Sequence, residues 1–316
     1  MKKRDRITEI NEIKERGHGY AAYIATKLDD LRRDWERVVT TDKKVPDFYA
    51  IRAVTILEVF TRRHISSLVD HDKKYAQRAA LLLKDYKIDF DILQGIQGRA
   101  ITLGDIVSHS IPVSSFGQIL NHFKILLDKP IAPMLRSAVD RWRTEVEKLP
   151  AEPIIPDYNR MSRCVTSLFE VRHILCHEIP SKPPYSIDDI SDFLTESRRL
   201  TKALGEVLNL EMYGRTPLTQ KEMNIDAFNK LKIQEEKLQA LVDVVLKDRN
   251  TKNEEIELIK DSQEKWIAYR NVWCDLETWR NKGGTIRPLL WATRAQALTQ
   301  LRLEEFDRWV QWRLKP

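Results

Sequence analysis

An arginine and two histidines fall within six residues, Arg172-His173-Ile174-Leu175-Cys176-His177, at the tail of an amphipathic helical pattern. A guanidinium offers a planar fork of donors that holds and neutralises a phosphate. An imidazole moves protons near neutral pH. Arg172 and His177 together are a minimal kit for cutting a phosphodiester without a metal. A plainer reading stands beside that one: a histidine at a helix end meeting the C-terminal dipole, and a solvated arginine. The context favours chemistry, because the pair closes a helix, Pro180 follows, and another long helical segment comes next.

The elements that must position these groups are helical. Asp157 is a candidate cap for the motif helix, and Met161, Cys164, Val165, Leu168, Phe169 and Leu175 form its buried stripe before Pro180, Pro183 and Pro184 end it. Ser186 with Asp189 reads as a capping box. It opens a helix to about Met212 that buries Ile187, Ile190, Phe193, Leu194, Leu200, Leu204 and Leu208 and exposes Arg198 and Arg199. Upstream, Ile7 to Val39 reads as one long polar helix, with Ile10, Tyr20, Ile24, Leu28, Leu31 and Trp35 at helical spacing. Pro46 and Asp47 mark a break, with Asp47 as N-cap. Phe48 to Val69 is apolar over so wide an arc that it belongs in the core; it carries Glu58, Arg62, Arg63 and His64. Residues of about 70–155 read as short helical pieces broken by glycines and prolines (Gly95 and Gly98 among them), an elaboration between core helices rather than a separate domain. Pro150, Pro153 and Pro156 form a rigid connector.

Gly214, Thr216 and Pro217 mark a domain boundary. Thr219 with Glu222 is another capping box. It starts a helix to about Asp248 with Phe228, Leu231, Leu238, Leu241 and Val245 on one face. A second helix runs from about Glu254 to Arg280 and stops at Gly283-Gly284, and a third covers about Ile286 to the end. No segment shows the period-two alternation of a strand.

Composition bounds the rest. The chain has 316 residues, 32% charged and 42% apolar, with 10 glycines, which is a helix-rich balance. Its formal net charge of +6 is a mild basic excess, compatible with an anionic partner such as RNA. The basic start, Met1-Lys2-Lys3-Arg4-Asp5-Arg6, lacks the apolar run of a signal peptide, and no segment approaches the roughly 20 apolar residues of a membrane span. The three cysteines, Cys164, Cys176 and Cys274, form no CxxC pair, which argues against a disulfide framework or a zinc site and for a reducing cytoplasm. No Asp/Glu cluster has metal-ligand spacing, so neither metal nor cofactor is expected.

The stretch Phe169-Glu170-Val171-Arg172-His173-Ile174-Leu175-Cys176-His177-Glu178 resembles the signature of HEPN domains. These are helical modules, many of them ribonucleases of toxin–antitoxin, abortive-infection and CRISPR systems. Their pattern is an arginine, a polar residue and, after four to six intervening positions, a histidine. The resemblance implies an all-α, HEPN-like bundle over 1–214 with inserted helices, a homodimer with two motifs facing one cleft, and RNA as substrate. In that reading the 2′-hydroxyl is the nucleophile, leaving a 2′,3′-cyclic phosphate and a 5′-hydroxyl. His177 moves the proton, Arg172 stabilises the phosphate charge, and His173 orients the phosphate or shares the proton work. Glu58 either reaches the arginine and restrains it or is a surface carboxylate. Arg62, Arg63, Arg198 and Arg199 either line the RNA path or sit on solvated faces, and His64, His71, His109 and His122 read as ordinary.

A second resemblance lies downstream in Gln263-x-x-Trp266-x-x-Tyr269-Arg270-x-x-x-Cys274, Gly283-Gly284 and Leu298-Thr299-x-x-Arg302. This looks like the LprI-like domain, named for a secreted lysozyme inhibitor, and implies a three-helix domain over 217–316. Secreted members pair cysteines; here Asp226 and Thr293 stand where partners are expected, and Cys274 is alone. That fits a cytoplasmic version and argues against lysozyme as its target. Trp266, Trp273 and Trp279 are expected to pack between helices with Arg270 tying a helix to a carbonyl or carboxylate, or else to form a recognition surface. The leading expectation is a defence ribonuclease governed through its C-terminal domain, with an antitoxin or a phage-derived trigger as partner and no membrane. The alternative is a non-catalytic HEPN-fold module that binds RNA or protein, its C-terminal domain a sensor or inhibitor.

Overall fold

The structure is a computed structural model that describes residues 6–17, 20–38, 46–83 and 101–313. The basic start through Asp5, Val39 and the breaks expected at Gly95 and Gly98 lie outside the described residues. All regular elements among the described residues are helices; the one β feature is an isolated antiparallel bridge between Val139 and Pro153. The chain divides into two compact units, Met1–Arg215 and Thr216–Pro316.

In the first unit, α1 (Arg6–Glu15) and α2 (Ala21–Val38) replace the single helix expected over this stretch. Gly17 takes φ +75°, a left-handed turn that costs glycine little and breaks the run. The two pieces also bury against different partners. Ile7 and Ile10 of α1 cluster with Ile101 and Ile106, whereas Ile24, Leu28, Leu31 and Trp35 of α2 join the main core. Tyr20, expected in that stripe, is 71% exposed.

The central element is α3 (Pro46–His71), more than half of whose 26 residues are buried. It starts two residues earlier than expected. Pro46 takes the first helical position, where its missing N–H costs nothing, and Asp47 lies in the first turn rather than capping it, accepting the Tyr185 hydroxyl. Packed on α3 are α2, α5 (Leu103–Ser110), α8 (Tyr158–His177) and α9 (Ile187–Tyr213). Between them in the chain come α4 (Lys73–Ala79), α6 (Phe116–Leu127) and α7 (Ile131–Ser137). Phe116, Ile119, Phe123, Leu126, Ile131 and Leu135 of this stretch share one apolar cluster with α3, α8 and α9, so the short helices complete the core.

Gly104 lets α5 approach α3 closely. A Cβ there would collide with the Ser66 carbonyl oxygen and lie 2.7 Å from Asp70 Oδ2, while the Gly104 N–H donates to Asp70 Oδ1 at 2.8 Å. Asp157 caps α8 by accepting from Arg160 N at 2.9 Å, and Ser186 and Asp189 cap α9 reciprocally. Together these fix where the motif helix begins and where its successor returns.

The second unit has α10 (Gln220–Leu246), α11 (Asn253–Glu277) and α12 (Arg287–Arg313), with a short 3-10 turn at Trp279–Asn281. The Thr219–Glu222 capping box opens α10, and α10 packs mainly along α12. Leu238, Val242, Val245, Ile259, Phe306 and Val310 form one apolar cluster; Leu231, Cys274 and Ala295 form another. Gly283, at φ +83°, turns the chain between α11 and α12.

Candidate functional site

Arg172 lies on α8 facing α3. Its Nη2 is 3.8 Å from Glu58 Oε1, and both side chains are half-buried. At that length the pair restrains the guanidinium without saturating its fork. Burial pushes the Glu58 carboxyl above the ordinary carboxylate range, against the pull of Arg172 and Arg62.

His173 and His177 are exposed at the end of α8, their rings tilted by 48° with centroids 4.8 Å apart. They meet because residues four apart share a helix face. The helix ends there: Glu178 N–H returns to Ile174 O at 2.8 Å, and Ile179 beyond it is fully exposed. Arg172 and His177, five residues apart, project about 140° apart around the axis and about 7.5 Å along it. The fold thus brings Arg172 to Glu58 and His173 to His177. No hydrogen bond or ion pair joins the arginine to either imidazole among the described residues.

The other arginines separate into two groups. Arg198 on α9 pairs with Asp29 on α2 and so ties two helices, whereas Arg199 pairs at 2.6 Å with the buried Glu196 one turn earlier on α9 itself. Arg62 and Arg63 instead line a groove of about 970 Å³ bounded by α1, α2, α3 and α5. On α3 the lining residues are Arg52, Thr55, Ile56, Val59, Arg62, Arg63 and Ser66, one continuous helical stripe. Within it Arg62 donates to the carbonyls of Ser108 and Ile111 (3.0 Å to the latter), closing the C-terminal end of α5. Burial lowers the pKa of Arg62. The stripe spacing is a visible signal for the α3 face; Arg16 and Lys27 join the groove only through the meeting of four helices.

Three of the remaining histidines have structural surroundings. His64 is buried edge-on to Phe60, its ring centroid 4.5 Å away, and burial takes it down to about 4. His122 Nε2 is 2.7 Å from the Pro112 carbonyl, and His71 Nε2 is 2.5 Å from that of Met212. Among the described residues no group of three histidines, cysteines or carboxylates is placed to hold a metal ion, and no helix is long and apolar enough to cross a membrane. The cysteines are free thiols; burial, aided by Asp192 and Glu196, pushes Cys164 up to about 12, which keeps it protonated.

In the second unit the sequence motif builds a buried tie. Arg270 binds Glu235 Oε1 at 2.7 Å and Thr299 Oγ1 at 3.0 Å, with its guanidinium 5.2 Å from the Trp266 ring. One side chain thereby joins α10, α11 and α12 by charge, hydrogen bond and cation–π attraction. Thr299 passes its own hydroxyl to Ala295 O at 2.7 Å. Trp279 departs from expectation: it is 60% exposed beyond the end of α11, under the Lys282 ammonium rather than between helices. Phe228 is likewise exposed, stacked on Trp291 with centroids 6.2 Å apart.

Comparison with known proteins gives a match for this unit. Residues 215–306 fit the model of the family described as Lysozyme inhibitor LprI, so an LprI-like domain forms the C-terminal part. No curated protein matches the chain, and no solved structure matches it.

Proposed function

We propose that the N-terminal unit is a HEPN-type, metal-independent endoribonuclease that acts as a toxin or abortive-infection effector in bacterial anti-phage defence. The observation that carries the reading is a half-buried guanidinium, restrained by Glu58, on the same helix end as two exposed imidazoles in contact. The 2′-oxygen attacks the adjacent phosphorus while one imidazole takes its proton. The bond to the 5′-oxygen breaks as that oxygen is protonated, leaving a cyclic phosphate and a 5′-hydroxyl. Arg172 neutralises the charge that builds on the phosphoryl oxygens. Because Arg172 and His177 diverge around one helix, two copies of α8 in a homodimer supply the converging set that a single chain lacks.

One observation favours a second reading, a non-catalytic RNA- or protein-binding module: the Arg172 fork already faces a carboxylate, and neither imidazole bonds to it. In either reading the LprI-like domain serves as sensor or inhibitor for an antitoxin or a phage-derived trigger. Overproduction in a bacterial host, with and without phage infection, separates the readings. The ribonuclease arrests growth under at least one condition, and His177→Ala or Arg172→Ala relieves the arrest. Equal effects of the wild type and both variants under both conditions favour the binding module.

A further inference from the structure

The groove between α1, α2, α3 and α5 has a cationic and aromatic lining that the chemistry at Arg172 leaves unused. Arg16, Arg52 and Arg63 line it without a carboxylate partner among the described residues. Of its two carboxylates, Asp105 is already paired with Lys14, which leaves Glu9. The cations do not converge on one point, as they would for a single phosphate. Arg52 and Arg63 are eleven residues apart on one straight helix, which sets them about 16 Å apart. That separation suits a chain of anions. Tyr23 also lines the groove, 48% exposed, with the Lys27 ammonium 4.7 Å from its ring and the Tyr20 ring tilted beside it at 6.5 Å. Spaced arginines along an open groove, with exposed rings beside them, match the needs of a single nucleic acid strand: charge for the backbone and flat faces for the bases. Glu58 lies about 40° around α3 from Arg62, so the groove borders the place where Glu58 meets Arg172.

We propose that this groove binds single-stranded RNA, with Arg52 and Arg63 on backbone phosphates separated by intervening nucleotides and Tyr23 under a base, and leads the strand toward Arg172. The proposal rests on the ribonuclease reading only for the strand's destination; binding itself is tested without cleavage.

The test is fluorescence anisotropy of the full chain with a labelled 2′-O-methyl oligouridine, which lacks the attacking hydroxyl, across a salt series. The double variant Arg52→Ala/Arg63→Ala should bind at least tenfold more weakly. Its log–log salt slope should be shallower by about 1.4, two phosphate contacts at about 0.7 each. Tyr23→Ala should weaken binding about tenfold with no change of slope, and Tyr23→Phe should bind as the wild type. Arg52 is exposed and without a partner among the described residues, so its replacement leaves the fold intact; Arg52→Lys should restore the slope. Wild-type affinity and slope in the double variant, or no binding by the wild type, overturns the proposal. So does displacement of the RNA by poly-glutamate as readily as by unlabelled oligouridine, which points to an acidic protein segment instead. RNA held through the groove but never cut leaves this proposal standing and sinks the ribonuclease reading. Cleavage of ordinary RNA with unchanged KM in the double variant does the reverse.

Discussion

His64 makes the folded chain sensitive to mild acid, and the size of the effect follows from its surroundings. The side chain is buried in α3 with Nε2 lacking a partner among the described residues, and burial alone lowers its pKa from 6.5 to about 4. Between those two values the unfolded chain carries a proton on this imidazole and the folded chain does not. Stability therefore falls as pH falls through that window, and the loss stops below the folded-state value, where both states are protonated. At 1.36 kcal/mol per pH unit, the full window is worth about 3 kcal/mol. His64→Leu removes the titrating group and an unsatisfied buried nitrogen, whose own cost is about 1–3 kcal/mol. The variant should be as stable as the wild type or more so at pH 7, and its advantage should widen steadily toward pH 4. Urea unfolding followed by circular dichroism at several pH values measures the difference, in which the other titrating groups cancel. A difference that stays flat from pH 7 to 4.5 refutes the reasoning.

Other outcomes follow from named contacts. Gly104→Ala should cost about 1–3 kcal/mol in thermal or urea unfolding, since the new methyl meets the Ser66 backbone; unchanged stability would mean that α5 can shift. Arg270→Met should destabilise the LprI-like domain by about 2 kcal/mol, at the low side for a broken buried pair because Glu235 is partly exposed; calorimetry of the full chain reads it. Glu58→Gln should change stability by less than about 1 kcal/mol, as expected for a long, half-exposed pair. The same variant should slow RNA cleavage about tenfold by freeing Arg172, and an unchanged rate removes Glu58 from the site.

What was legible in the sequence was short in range. The capping boxes Ser186–Asp189 and Thr219–Glu222 and the Asp157 cap formed where their spacing placed them, since each closes within one turn. The all-helical class followed from periodicity with few breakers. The break at Gly17 was missed because a lone glycine in a polar pattern does not reveal that Ile7 and Ile10 have a different partner from Leu28 and Leu31. Exposure of Tyr20, Ile187, Phe228 and Trp279, all expected on packed faces, depends on which neighbours arrive, which a single pattern does not contain. At the site, the contact of His173 with His177 and the divergence of Arg172 from His177 both follow from helical spacing. That Glu58 lies opposite Arg172 depends on how α3 and α8 pack. The groove was the least legible feature, since residues from four helices line it.

The central claim is tested most directly on RNA ends. Purified full-length protein is incubated with total RNA in excess chelator, beside Arg172→Ala and His177→Ala, with a DNA of matching sequence as control. The account predicts fragments ending in 2′,3′-cyclic phosphate and 5′-hydroxyl from the wild type, none from either variant, and intact DNA. Intact RNA under all conditions, cleavage that needs added metal, or equal cleavage by wild type and variants would contradict it.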